Sequence, residues 1–170
     1  MDTCAQLAAI LAQMGPGQAI TWLKEQMDGL CDVRVCIVAG LSEAAHAADW
    51  GRFQTYVLAA YHQPDGPMAP ILCAVLDRWR EIRPVYIEDI AEVLGLIRNP
   101  VAIDCLERAI RNEPEWDDAG HHFARKCVRS LAEIGTPAAV TALRRIARSD
   151  IAPIREEALE ALKREGRGMN

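Results

Sequence analysis

The sequence predicts an all-α chain, an α-solenoid of about ten helices in four to five helical hairpins. Three observations lead there. The first is an internal repeat. Tyr86–Ile110 aligns with Phe123–Ala147 at a shift of 37 residues, apolar on apolar at Tyr86/Phe123, Ile90/Cys127, Leu94/Leu131, Ile97/Ile134, Ile103/Val140, Leu106/Leu143 and Ile110/Ala147. Two short helices per unit, at a period in the thirties to forties, form a stack whose units bury their apolar faces on one another. The second is composition: 51% of the residues are hydrophobic but only 5% aromatic, and Ala and Leu recur, which suits closely packed helices better than a sheet. The third is punctuation. Gly15-Pro16-Gly17, Pro64-Asp65-Gly66-Pro67, Pro84, Asn99-Pro100, Pro114, Gly135-Thr136-Pro137 and Pro153 all fall between apolar-periodic segments, where proline's missing donor and fixed φ are tolerated.

The predicted helices run 3–14, 17–28, 32–45, 49–62, 68–80, 85–97, 101–112, 119–134, 138–148 and 153–165. In the first, Leu7, Ile10, Leu11 and Met14 recur at helical spacing. The second opens Ala19-Ile20-x-x-Leu23, like Ala102-Ile103-x-x-Leu106 and Ala139-Val140-x-x-Leu143. The third, behind the candidate cap Asp32, opens Val33-Arg34 and resembles the last, which opens Ile154-Arg155; both bring small residues (Gly40, Ala158, Ala161) to a close approach. The fourth carries Trp50, Phe53, Tyr56 and Tyr61, read with Trp22 and Trp79 as core stripes. The helix at 68–80 does not fit the two-helix register and reads as an insertion or a degenerate unit. The next four are the repeat proper, and Thr136, Ser149 and Asp150 are caps or near-caps. Connections of about 2–6 residues leave no room for a second domain, so 1–165 reads as one domain and 166–170 as a frayed tail.

The six cysteines, at 4, 31, 36, 73, 105 and 127, include no C-x-x-C pair. They read as buried reduced thiols, because free Cys packs as a small hydrophobe. No window is apolar enough to span a membrane, and no basic start marks a secretory signal, so the expected location is cytoplasmic. The net charge of −5 is unevenly spread: residues 1–120 carry 9 Lys/Arg and 18 Asp/Glu (−9), and residues 121–170 carry 10 and 6 (+4). Such a dipolar chain can steer a charged partner.

The run Leu131, Ile134-Gly135, Thr136-Pro137-Ala138-Ala139-Val140 and Leu143, with a further unit beginning at Ile154-Arg155, resembles HEAT-like repeats of the phycobilisome-lyase type. The resemblance is good over about residues 86–166 and loose over 1–60; Tyr86-Ile87 and Phe123-Ala124 lack the Val-Arg opening. It implies a right-handed stack of antiparallel helix pairs, first helices outside and second helices lining a concave face. The charged last helix (Arg155, Glu156, Glu157, Glu160, Lys163, Arg164, Glu165) would cap its end.

Two candidate sites stand out. On helices 101–112 and 138–148, Arg108 is equivalent to Arg145 and Arg111 to Arg148, with Arg144 beside them. A guanidinium fork donates two bonds together to a carboxylate or phosphate; the alternative is a solvated face, partly paired with Glu107. The loop Glu115-Trp116-Asp117-Asp118 before His121-His122 offers Trp116 as a protein-binding anchor, or as a residue folded onto the edge of the stack. Asp118 and His122 have i, i+4 spacing, too few ligands for a metal expectation, and no cofactor is expected. His-Glu dipeptides of the kind that HEAT-like iron hydroxylases use are absent, as are G-x-x-x-x-G-K-[ST], G-x-S-x-G and H-E-x-x-H.

The expected function is therefore a non-enzymatic module that binds a partner protein through its concave face. Arg108, Arg111, Trp116, Arg144, Arg145 and Arg148 are its contact residues. A stoichiometric inhibitor, such as a toxin immunity protein, is one form of it. The alternatives are nucleic-acid binding through the basic C-terminal third, or a lyase- or glycosylase-like enzyme. The latter would need a buried carboxylate or reactive Cys in a pocket.

Overall fold

The computed structural model describes residues 3–13, 18, 21, 25, 33–81, 86–112 and 120–168. Helices α1 (Thr3–Gln13), α2 (Val33–His46), α3 (Trp50–His62), α4 (Met68–Leu76), α5 (Ile87–Ile97), α6 (Ala102–Arg111), α7 (His122–Ile134), α8 (Pro137–Ile146) and α9 (Ala152–Gly168) follow in order, with a 3-10 turn at Trp79–Glu81. There is no strand among the described residues. The expected helix at 17–28 lies largely outside them. The last helix runs on through Gly168, past the expected end at 165.

The helices form two layers. α3, α5, α7 and α9 lie side by side in the first, and α2, α4, α6 and α8 in the second. Each second-layer helix also packs on the first-layer helix that follows it, and the most extensive contact is α5 on α7. α1 packs on α2 and α3. This is the architecture of an α-solenoid, in which each unit touches its neighbours and a continuous core runs between the layers.

The helical period of the sequence explains the burial. Ile90, Leu94, Leu106, Cys127, Leu131 and Leu143 are fully buried, as the aligned repeat requires. One aligned pair separates. Phe123 is fully buried, but Tyr86 is 68% exposed. Tyr86 is the extended N-cap of α5, whereas Phe123 already lies inside α7. The tryptophans read as core sit at its edge: Trp50 is half-buried against Phe53 (ring centroids 5.9 Å apart), and Trp79 is half-buried under the Arg80 guanidinium. Tyr61 is exposed, and Trp22 lies outside the described residues.

One register expectation is corrected. The segment 68–80 is neither an insertion nor degenerate; α4 stops at Leu76 and takes the second-layer place between α2 and α6. The helices opening Val33-Arg34 and Ile154-Arg155 lie in different layers, α2 in the second and α9 in the first. Place in the alternation decides the layer, and a shared opening dipeptide does not.

The turns repeat too. Gly135 caps α7 at φ 64°, and Arg98, at the same point of the preceding unit, caps α5 at φ 55°. A left-handed cap costs a non-glycine residue strain that glycine avoids. Thr136 then accepts from the Ala139 amide at 3.3 Å to start α8, with Pro137 at its first position. Asp49 does the same for α3 by accepting from the Arg52 amide at 3.0 Å.

The cysteine expectation also changes. Cys4 is disulfide-bonded to Cys36 and Cys73 to Cys105, each pair 32 residues apart, with Cα–Cα distances of 4.9 and 5.8 Å. Cys127 is buried outside both bonds, and Cys31 lies outside the described residues. Stacking brings together helices whose cysteines are remote in sequence, so no short spacing announces the pairs. Disulfides persist mainly in oxidising surroundings, which runs against the cytoplasmic expectation. No helix among the described residues is long and apolar enough to cross a membrane.

Candidate functional site

The arginines singled out by the repeat all lie on the second layer and are all exposed, but they fall into two groups. Arg108 is held by α4: its Nε and Nη2 donate to Asp77 Oδ1 and Oδ2 at 3.0 and 2.8 Å. Arg145 is held by α6: its Nε and Nη2 donate to Glu107 Oε1 and Oε2 at 3.1 and 2.7 Å. Each fork therefore ties one second-layer helix to the one before it. The hydrogen bonds Arg145 donates to Glu107, and then the Glu107 charge, raise the Arg145 pKa; Asp77 does the same for Arg108, against a smaller opposing effect of burial. Glu107 is itself buried, so the carboxylate that an enzymatic reading would want in a pocket is occupied by a guanidinium.

Arg111, Arg144 and Arg148 form the second group. They make no ion pair among the described residues. Arg111 and Arg144 stand in the last turns of α6 and α8, and Arg148 just beyond α8. Cations there offset the negative end of the helix dipole by about 0.3–1 kcal/mol each. That gives them a local reason to exist and leaves their donors facing solvent. Trp116, with the acidic residues around it, lies outside the described residues. No group of three or more His, Cys, Asp or Glu side chains among the described residues could hold a metal ion.

The first layer carries a second network, which the sequence reading missed. Glu92 of α5 receives Lys126 Nζ of α7 at 2.8 Å and the Tyr61 hydroxyl of α3 at 3.2 Å. Asp89 receives Gln54 Nε2 at 2.8 Å. Glu133 receives Arg98 Nη2 at 3.1 Å. Glu157 of α9 receives Arg125 Nε at 2.8 Å and Arg129 Nε and Nη2 at 2.8 and 3.0 Å. A signal was present at the 37-residue shift: Glu88, Asp89 and Glu92 fall opposite Arg125, Lys126 and Arg129. The polar face thus changes sign from α5 to α7 and back again at α9. Stacking pairs these faces, so the sign change specifies neighbour order.

Residues 89–163 match the family model for HEAT repeats. This segment carries HEAT-like repeats. The matched segment runs from within α5 to within α9, and so covers both charge networks from Asp89 onward. The HEAT match is a general one and does not single out the phycobilisome-lyase type. No curated protein and no solved structure matches the chain.

Within the HEAT segment, Glu157 is held by two arginines of α7. Its side chain is 11% exposed, and hydrogen bonds from Arg129, opposed by burial and assisted by Arg125, lower its pKa. Because the folded pKa lies below the unfolded one, unfolding takes up a proton between the two values. The stabilisation is complete above the ordinary carboxylate range and is lost as pH falls through the lowered folded value. Glu157→Gln is expected to cost about 1–2 kcal/mol at neutral pH. It should also flatten the acid limb of a stability-against-pH curve measured by urea unfolding. An unchanged acid limb would remove Glu157 as its source.

Proposed function

We propose that the chain is a non-enzymatic binding module whose second-layer face, at the C-terminal ends of α6 and α8, receives an acidic patch of a partner protein. Arg111, Arg144 and Arg148 make the contacts. Arg108 and Arg145, already engaged with Asp77 and Glu107, hold those helices in register and complete the positive rim. The observation that carries this reading is the split among these arginines: two are locked in bidentate pairs, and three keep their side chains exposed with no ion pair among the described residues. Preorganised forks lose little conformational freedom on meeting a carboxylate, which favours a specific contact over diffuse attraction. HEAT repeats commonly mediate protein interaction, which agrees. Trp116, which lies outside the described residues, remains the candidate anchor offered by the sequence. A stoichiometric inhibitor, including a toxin immunity protein, is one form of the reading, because blocking a partner needs only this surface.

Nucleic-acid binding is less well supported. Arg125, Lys126, Arg129 and Arg145, four cations of the basic C-terminal third, are each engaged by a carboxylate of a neighbouring helix. Those pairs interrupt a track of free cations along the described residues, which a phosphate backbone would need. The test is capture from native lysate on tagged protein at low and moderate salt, with and without nuclease. One protein recovered in stoichiometric amount after nuclease treatment is the expected result. Recovery of nucleic acid alone, lost at moderate salt, would overturn it.

A further inference from the structure

We propose that Cys73 and Cys105 form a thiol-responsive clamp between α4 and α6, and that Cys73 is the site at which a low-molecular-weight disulfide of the glutathione class enters it. The pair joins consecutive second-layer helices at a Cα–Cα distance of 5.8 Å, inside the range that a disulfide bridges without backbone movement. The two sulfurs differ in access. Cys105 is 1% exposed, whereas Cys73 is half-buried at the edge of the core. An external thiol or disulfide therefore reaches Cys73 first.

The exchange balances in two steps. The Cys73 thiolate attacks oxidised glutathione, forms a mixed disulfide and releases one glutathione thiolate. The Cys105 thiolate then attacks the Cys73 sulfur, closes the protein disulfide and releases the second glutathione. Two electrons and two protons pass from the protein dithiol to glutathione disulfide, and reduced glutathione runs the sequence backwards. The reduced state also has its polar group accommodated, because Cys105 Sγ lies 3.3 Å from the Ala102 carbonyl oxygen, an acceptor for the buried thiol. Neither state strands a buried donor, as a reversible clamp requires.

Its position gives the clamp a structural consequence. Asp77 lies one turn after Cys73, and Arg108 one turn after Cys105, so the covalent link and the Asp77–Arg108 pair span the same two helices side by side. The ion pair is substantially exposed on both sides, and exposed pairs hold helices weakly. Opening the disulfide therefore loosens the junction between the N-terminal helices and the later repeats, whatever binds the arginine face. Cys4 and Cys36 repeat the arrangement between α1 and α2, with Cys4 half-buried and Cys36 buried.

The test uses the full chain, equilibrated natively with oxidised or reduced glutathione, acid-quenched, alkylated under denaturing conditions and mapped by mass spectrometry. After oxidation, Cys73 and Cys105 are expected unalkylated in one cross-linked peptide pair; after reduction, both carry the alkyl group. A Cys105→Ser variant, folded by circular dichroism, should retain a glutathione adduct at Cys73, while Cys73→Ser should acquire none at Cys105. Full alkylation of both residues after treatment with oxidised glutathione would overturn the clamp. Adduct formation at Cys105 rather than Cys73 would overturn the assigned point of entry. None of these readouts depends on partner binding, so failure here leaves the proposed function standing, and the reverse also holds.

Discussion

Phe123→Ala is expected to lower the free energy of unfolding by about 3–5 kcal/mol, while Tyr86→Ala changes it by no more than about 0.5 kcal/mol. The two residues occupy the same position of the repeat. Phe123 lies inside α7, fully buried, whereas Tyr86 precedes α5 and is exposed. Removing the Phe123 ring deletes its buried surface and leaves a cavity that the flanking helices close only in part, because α7 is held by α5, α6, α8 and α9 together. Removing the Tyr86 ring leaves no cavity. Urea unfolding of the two variants measures the contrast. Similar losses in both would mean that the repeat alignment, and not the observed helix start, governs burial there.

Gly95→Ala is expected to cost about 1–3 kcal/mol, although alanine favours a helix over glycine by up to about 1 kcal/mol. A methyl group at Gly95 would sit 2.9 Å from Ser130 Cα and 3.0 Å from its Cβ. Those atoms belong to α7 and cannot rotate away, so α5 and α7 must separate where their contact is most extensive. Gly166 supplies the control: nothing lies within 4 Å of a methyl group there, and Gly166→Ala should leave stability unchanged or raise it by up to about 1 kcal/mol. Opposite signs for the two substitutions, read from thermal or urea unfolding, are the expected result. A stabilising Gly95→Ala would contradict the close packing of α5 on α7.

What could be read in the sequence follows from how far each signal reaches along the chain. Helix periodicity acts over a single turn, so α5 to α8 and the Thr136 cap were legible. Equivalence at a fixed shift reaches one unit further, and it placed Arg108 with Arg145 and Arg111 with Arg148. What each arginine meets is set by stacking. Asp77 lies 31 residues before Arg108, and Glu107 lies 38 before Arg145. No constant spacing therefore leads from an arginine to its acid. The disulfides do share a spacing of 32 residues, but helix periodicity reaches only a turn, and it is stacking that brings those cysteines together. The shared openings Val33-Arg34 and Ile154-Arg155 carry no information on layer, which is fixed by counting helices in order. The reversal of sign between Glu88-Asp89-x-x-Glu92 and Arg125-Lys126-x-x-Arg129 is present in the sequence. Its meaning depends on knowing that α5 and α7 are neighbours in one layer.

The arginine face is tested most directly by matched charge reversal. One variant combines Arg144→Glu with Arg148→Glu, the other Lys163→Glu with Arg164→Glu. Both change the net charge equally, and both alter exposed residues; the second pair sits on α9 in weak contacts with Glu160. With folding verified by circular dichroism, the partner captured by the native chain should bind the first variant at least about tenfold more weakly and the second almost unchanged. Equal binding by both variants, or equal loss from both, would contradict a specific role for the exposed second-layer arginines.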